Sequence, residues 1–237
     1  QSILKLDWNE ATIQPSPRVK QSILNFLEHG NMNWYPDVNN TLLLEELSLY
    51  NNLPIENIQY FASSDSIHEY IASIFLEARD QVTIVGPTYD NFRAVIESKG
   101  AIVDFYYLDD QFQLNSEKFQ HYLAFKQPHL MYICNPNNPT GTFYTQEFLQ
   151  GIIAGHNNIL FIVDEAYFEF YGNSCKNLVM EHNNLIITRT FSKAFALASF
   201  RVGYAISSIE NIEILSKVRN PKSISTFAQI AAIAALQ

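Results

Sequence analysis

The sequence predicts an α/β protein in which helices cover both faces of a mainly parallel mixed sheet, giving three layers. Short apolar runs that suit buried strands alternate with stretches whose apolar residues recur at helical spacing. Such alternation is typical of parallel strands joined by helical crossovers. Of the 237 residues, 47% are hydrophobic and 16% are charged, which is ordinary for a globular enzyme.

Two amphipathic helices are predicted near the start of the chain. Ser16 followed by Pro17 is typical of a helix start, and Gly30 of a helix end. Thr41 is the expected N-cap of the second helix, which carries Leu42 to Leu49.

A third helix is predicted where Ser66 and Glu69 form a capping-box pattern. The apolar residues that follow, from Ile67 to Ala78, keep the spacing of one helical face. Beyond this point the strand and helix patterns alternate. Strands are expected at 82–85, 102–108, 130–134, 159–163 and 185–188, and helices at 91–98, 117–125 and 146–153.

Composition and charge exclude several classes of function. A net charge of −9 argues against a nucleic-acid or anionic-membrane surface. Cys134 and Cys175 give neither a disulfide framework nor metal-ligand spacing, and the six histidines form no ligand motif. With no membrane-length apolar run and no signal peptide in the sequence, we expect a cytoplasmic protein with small-molecule partners.

Polar clusters follow three of the predicted strands. Residues 135–141 come after the strand at 130–134, residues 164–167 after 159–163, and residues 189–193 after 185–188. Ligands of open α/β sheets bind outside the carboxyl ends of the strands. The three clusters therefore predict one site at this edge of the sheet.

These clusters, in this order, resemble those of the aspartate-aminotransferase-like, fold-type I enzymes that use pyridoxal 5′-phosphate (PLP). The histidinol-phosphate aminotransferase group is the most similar. The likeness also includes residues 6–10, 34–37, 86–89 and 201–204, so it covers nearly the whole chain. It implies a PLP-dependent aminotransferase that moves an amino group between an amino acid or amino-phosphate and a 2-oxo acid.

The resemblance implies that Lys193 holds the cofactor covalently and later moves the α-proton of the substrate. Burial and the nearby cation of Arg201 favour the neutral, nucleophilic amine of this lysine. Asp164 is expected to pair with the protonated pyridine nitrogen, which keeps the ring an electron sink. Glu165 is expected to be structural.

Further ring contacts are implied for three residues. Asn138 and Tyr167 are expected to donate to the phenolic oxygen of the cofactor, and Tyr89 to stack on its ring. A turn asparagine and core tyrosines are the alternative interpretations of these residues.

The cofactor phosphate is expected to contact Thr190, Ser192 and Arg201. Backbone amides of Ser64 and Asp65 are expected to join them where a helix begins, although a simple helix cap explains these two residues nearly as well. Tyr35 resembles the tyrosine that reaches the phosphate of a neighbouring subunit, which implies a homodimer with shared sites.

The sequence departs from the family pattern in places. Relatives have glycine-rich sequence where this chain has 61–66, and glycines after the lysine where it has Ala196 and Ser199. Residues 11–13 also differ from the stretch that is typical of histidinol-phosphate enzymes.

The expected organisation is an N-terminal arm and helix at 1–30 followed by a large PLP-binding domain at 31–237. Both ends of the sequence look like cuts, so we expect it to be part of a longer protein. The smaller C-terminal domain of the family, which supplies the arginine for the substrate carboxylate, is not in this sequence.

Three other functions stay open at this stage. A PLP-dependent decarboxylase or lyase of the threonine-phosphate decarboxylase type would use the same lysine and aspartate. A PLP-binding module without catalysis would fit the altered glycines. A nicotinamide dehydrogenase is disfavoured, since no GxGxxG motif follows a strand.

Overall fold

A computed structural model describes residue 5 and residues 7–237. Residues 1–4 and 6, part of the predicted arm and of the 6–10 motif, lie outside the described residues. The described strands form one sheet in the spatial order β1-β7-β6-β5-β4-β2-β3. Their bounds are β1 (Ile58–Phe61), β2 (Gln81–Gly86), β3 (Ile102–Tyr107), β4 (Leu130–Cys134), β5 (Leu160–Asp164), β6 (Leu185–Thr190) and β7 (Gly203–Ser207).

Helices precede, separate and follow these strands. They are α1 (Pro17–His29), α2 (Thr41–Asn51), α3 (Ser64–Phe75), α4 (Asn91–Ser98), α5 (Ser116–Lys126), α6 (Gln146–Gly155), α7 (Phe168–Tyr171), α8 (Ile209–Val218) and α9 (Thr226–Leu236). Short 3₁₀ turns occur at Ile55–Asn57, Lys176–Met180 and Ala198–Phe200. In the described part of the chain, no helix has both the length and the apolar character needed to cross a bilayer.

The sheet is mixed and mainly parallel, as the sequence predicts. Strands β3, β2, β4, β5 and β6 pair in parallel, whereas β7 runs antiparallel to both β6 and β1. All five strands expected from the apolar runs are present. β1 and β7, at one edge of the sheet, were not among the predicted strands.

Alternating side chains of the central strands pack into separate cores on the two faces of the sheet. On β4, Met131 and Ile133 join one core, whereas Leu130, Tyr132 and Cys134 join the other. The first core is covered by α1, α2, α5, α6 and α9, and the second by α3, α4 and α8. This arrangement confirms the three-layer prediction.

The starts of two helices differ from the prediction. Asn40, not Thr41, caps α2, since its side chain accepts from the Leu43 amide at 3.0 Å. The predicted capping box at Ser66 is wrong, because α3 begins two residues earlier and its cap is Ser63, which accepts from the Ser66 amide at 3.2 Å. Ser63 has φ +138°, a conformation that favours glycine.

Candidate active site

The three polar clusters lie together at the carboxyl end of the sheet. Adjacent parallel strands align Cys134 with Asp164, and Asp164 with Thr188. The loop that carries Asn138 therefore starts beside Asp164, and the segment that carries Lys193 continues from the next strand. The convergence expected from the sequence is thus present in the fold.

Asp164 ends β5 as a buried carboxylate, with 4% of its surface exposed. Its Oδ2 accepts from the Tyr132 hydroxyl at 2.7 Å, and its Oδ1 accepts from the Ala166 amide at 3.0 Å. A buried charge is costly unless hydrogen bonds satisfy it. These donors fix the orientation of the carboxylate at the end of the strand.

Lys193 lies in the tight turn that follows β6. Its Nζ donates to the Asn9 carbonyl at 2.9 Å and lies 5.6 Å from the centre of the Tyr167 ring. Partial burial lowers the pKa of Lys193, and the charge of Arg201 lowers it further, although Asp65, Glu10 and Asp164 oppose this change. The lowered pKa increases the neutral, nucleophilic fraction of the amine near neutral pH.

A buried aromatic anchor positions the lysine turn. Phe191 is fully buried and packs on Phe195 and Tyr204, with ring centres 4.7 Å and 5.9 Å away. The turn closes where the Leu197 amide donates to the Phe191 carbonyl at 3.0 Å. Lys193 therefore lies on a short segment whose two ends are joined by a backbone hydrogen bond.

Tyr167 has a hydroxyl that accepts two hydrogen bonds. Asn9 donates to it at 2.7 Å and Asn138 at 3.3 Å. Burial raises the pKa of Tyr167, so the phenol keeps its proton near neutral pH and can donate it to a bound molecule. Sequence reasoning missed Asn9, although the 6–10 motif contained it, because its contact with Tyr167 joins residues 158 positions apart.

Arg201 contacts polar side chains from two separate segments of the chain. Its guanidinium donates to the Ser192 hydroxyl at 3.3 Å and to Asp65 Oδ2 at 3.0 Å. The Thr190 hydroxyl lies 3.0 Å from that of Ser192, and both residues are buried. The predicted phosphate-site residues Thr190, Ser192, Arg201 and Asp65 are therefore joined in one hydrogen-bonded chain.

The first turn of α3 packs directly on the start of β7. A Cβ added at Gly203 would lie 2.6 Å from the Ser64 amide nitrogen and 2.7 Å from the Ser63 carbonyl carbon. Only glycine allows this approach, which brings the first amides of α3 beside Arg201. Amides at a helix start have no partner inside the helix and suit an anion.

Tyr89 and Tyr35, the other two tyrosines predicted to contact the cofactor, differ in how much of each side chain is exposed. Tyr89 is 44% exposed, and its pKa is raised by burial and then by the charges of Asp65 and Asp164. Tyr35 is 77% exposed, and its ring centre lies 4.4 Å from Lys222 Nζ.

A buried ion pair lies beside the site and was only partly anticipated. Glu165 Oε2 accepts from Arg189 Nε at 2.9 Å and from Nη2 at 2.7 Å, and both side chains are almost fully buried. The Arg189 guanidinium also donates to Asn51 at 2.7 Å. Glu165 is structural, as expected, but its partner is 24 residues away, and sequence reasoning gave Arg189 no role.

An open cavity of about 330 Å³ adjoins the Asn138 and Tyr167 side chains. Phe143, Phe170 and Tyr171 form much of its apolar wall, and Asn9 also contributes. The cavity gives a small organic molecule room beside the Tyr167 hydroxyl.

A family model for "Aminotransferase class I and II" matches residues 1–237. The chain belongs to this family. It is 50% identical over 237 residues to the dihydroxyacetone phosphate transaminase of Campylobacter jejuni, covering 100% of this chain and 65% of that protein. It is 35% identical over 233 residues to the histidinol-phosphate aminotransferase of Ruminiclostridium cellulolyticum, covering 97% of this chain and 65% of that protein.

A solved relative has the same fold. The histidinol-phosphate aminotransferase of Sinorhizobium meliloti, in complex with pyridoxal-5′-phosphate, superposes with a TM-score of 0.89 at 27% identity, covering 97% of this chain and 62% of that one. The fold is therefore the aspartate-aminotransferase type expected from the motifs. The chain spans 65% of the length of the two curated relatives.

Proposed function

We propose that this chain is the cofactor-binding part of a PLP-dependent aminotransferase. The observation that carries the proposal is the convergence of an amine with a lowered pKa, a buried carboxylate and a guanidinium cluster at one end of the sheet. Lys193 follows β6, the strand that pairs with β5, and β5 ends at Asp164. The family and the PLP-containing relative support the same conclusion.

The donor set fits the phosphate of this cofactor. Arg201 supplies a guanidinium, Thr190 and Ser192 supply hydroxyls, and the start of α3 supplies the amides of Ser64 and Asp65. A guanidinium with helix-start amides is a combination that binds phosphate well. The absence of a side chain at Gly203 keeps these groups on one small patch.

The remaining residues fit the ring of the cofactor. Among the described residues, the Asp164 carboxylate contacts two neutral donors and a histidine, so its charge is available to a cationic ring nitrogen. Asn138 and Tyr167 form a pair of donors for a phenolic oxygen, and Tyr89 offers a half-exposed ring for stacking.

When bound, PLP supplies an electron sink that stabilises negative charge at the α-carbon of an amino substrate. Lys193 would hold the cofactor through its Nζ, and this amine is the group placed to move the α-proton of the substrate. Asp164 would supply the carboxylate that favours the charged form of the ring nitrogen. Asn138 and Tyr167 would donate to the phenolic oxygen, and the Arg201 cluster would bind the phosphate.

We propose an amino-phosphate or amino acid as one substrate and a 2-oxo acid as the other. The names of the two curated relatives, which act on dihydroxyacetone phosphate and on histidinol phosphate, favour a small phosphorylated compound. The arginine that binds the substrate carboxylate is proposed to lie in the part of the relatives that this chain does not span.

Assembly and location are also proposed. The exposed Tyr35 is available to reach the cofactor phosphate of a second subunit, which supports a homodimer with shared sites. We propose that residues 1–30 are an arm and helix attached to a large domain at 31–237, and that the protein is cytoplasmic.

A half-reaction in the full-length protein tests the function. The PLP-loaded protein is mixed with each amino acid and with amino-phosphates, and pyridoxamine 5′-phosphate is measured by chromatography. We expect stoichiometric conversion with at least one donor and reversal by a 2-oxo acid or dihydroxyacetone phosphate. Release of carbon dioxide in place of pyridoxamine 5′-phosphate would identify a decarboxylase, and bound PLP with no reaction would identify a non-catalytic module.

A further inference from the structure

A buried histidine lies behind the carboxylate that is proposed to face the cofactor ring. His68 is on α3 and is 1% exposed. Its Nε2 lies 3.2 Å from the Thr188 hydroxyl oxygen and 3.7 Å from Asp164 Oδ2. The imidazole therefore approaches Asp164 from the helix layer.

Aromatic rings hold the imidazole in this position. The rings of Phe92 and Tyr132 meet it edge to face, with centres 5.1 Å and 5.8 Å away, and they stack on each other at 4.1 Å. Tyr132 is also the residue that donates to Asp164 Oδ2. One packed cluster thus fixes both a hydroxyl and an imidazole nitrogen beside the same carboxylate oxygen.

The surroundings of the two ring nitrogens determine which one carries the proton. Within the described residues, Nδ1 is buried and has no hydrogen-bond partner. A proton on Nδ1 would bury an unpaired N–H and would turn the Nε2 lone pair toward a carboxylate. A proton on Nε2 instead donates to Thr188 and points partial positive charge at Asp164.

We propose that His68, protonated on Nε2, is a positioning residue that holds Asp164 in the orientation required by the pyridine nitrogen of PLP. This proposal rests on the proposed function, because that function gives Asp164 its partner, the pyridine nitrogen. Thr188 shares the Nε2 hydrogen, and Tyr132 supplies the direct hydrogen bond. His68 acts through Asp164 and does not touch the cofactor.

A neutral imidazole suits this task better than a cation. Burial lowers the pKa of His68, although the charges of Asp164, Asp65 and Glu69 oppose this change. A full positive charge beside Asp164 would compete with the ring nitrogen for the same carboxylate. A neutral N–H orients the carboxylate and leaves its negative charge for the ring.

Two amide variants of the full-length protein test the proposal. The nitrogen of glutamine can occupy the position of Nε2, whereas that of asparagine occupies the position of Nδ1. We expect His68→Asn to weaken PLP binding three- to tenfold in a fluorescence titration. It should also shift the pH midpoint of the visible band of the bound cofactor. In His68→Gln, the PLP affinity should lie within twofold of the wild type, and the pH midpoint within about 0.2 pH units of it.

Ile96→Val is the matched packing control, since Ile96 is a fully buried residue of α4 in the same core and has no hydrogen-bonding side chain. We expect it to lower the melting temperature and to leave the pH midpoint unchanged. Equal midpoints and affinities for His68→Asn, His68→Gln and the wild type would overturn the role of His68. A midpoint shift as large in Ile96→Val would overturn it too. A wild-type protein that binds no PLP would overturn the proposed function itself.

Discussion

Gly203→Ala places a methyl group where the first turn of α3 meets the start of β7. The new Cβ would lie 2.6 Å, 2.7 Å and 2.8 Å from backbone atoms of Ser64, Ser63 and Arg189. Backbone atoms cannot rotate away as a flexible side chain can, so α3 and β7 must separate. Overpacking of this kind costs about 1–3 kcal/mol, and three such contacts favour the upper end of the range.

The expected loss of stability is measurable by thermal unfolding. For a chain of this size, about 3 kcal/mol corresponds to a melting temperature roughly 6–12 °C lower. Gly151→Ala is the matched control, because nothing lies within 4 Å of its added Cβ in α6. Gly151→Ala should leave the free energy of unfolding unchanged or raise it by up to about 1 kcal/mol.

Gly203→Ala also tests the phosphate site. Separating α3 from β7 moves the Ser64 and Asp65 amides away from Arg201, so PLP affinity should fall at least threefold in Gly203→Ala and stay constant in Gly151→Ala. A Gly203→Ala protein with wild-type melting temperature and PLP affinity would refute this account of the close approach.

Three further predictions concern charged groups. Burial raises the pKa of Glu169 to about 7; because this folded-state pKa lies above the ordinary value, the stabilisation is complete below about pH 4.5 and is lost as pH rises through 7. Glu169→Gln should therefore match the wild type at pH 4 and exceed its free energy of unfolding by about 1–3 kcal/mol at pH 8 in urea titrations, and a pH-independent difference would contradict this. Arg189→Met should lower that free energy by about 3–5 kcal/mol, because it leaves the Glu165 carboxylate buried without its partner; adding Glu165→Gln should recover part of the loss, and a mild effect of the single variant would show that water reaches Glu165. Arg201→Gln should weaken PLP binding at least tenfold in fluorescence titrations with little change in melting temperature, since the Arg201 side chain is 49% exposed; unchanged affinity would place the phosphate elsewhere.

Much of the fold could be predicted because its central strands are short, wholly apolar runs. The bounds of β4 match the predicted 130–134, and those of α4 match 91–98. Strands β1 and β7 could not be predicted in this way. β1 pairs with β7, and β7 also pairs with β6; these long-range antiparallel contacts leave no periodic pattern in the sequence.

The candidate site was predictable where its residues follow strand ends in a recognisable order. Asp164, Asn138 and Lys193 are examples, because the carboxyl ends of parallel strands converge. Contacts formed by distant segments were not predictable, and Asn9 reaches Lys193 across 184 positions. A lone histidine in an apolar helix also gives no signal of function, so sequence reasoning gave His68 no role.

The altered glycines show how local chemistry can replace an expected residue. Ser63 adopts a glycine-like φ of +138° and uses its side chain to cap α3. A cap contributes about 1 kcal/mol, which offsets part of the backbone strain. Gly203, which belongs to the shared 201–204 motif, allows the start of α3 to pack closely on β7.

The most direct test of the account is the site of the covalent bond to the cofactor. The full-length protein is incubated with PLP, reduced with borohydride, digested and analysed by mass spectrometry, alongside Lys193→Ala. The account predicts that the reduced cofactor is found on Lys193 and that the variant carries none. Stoichiometric labelling of another lysine, or an equally labelled variant, would contradict it.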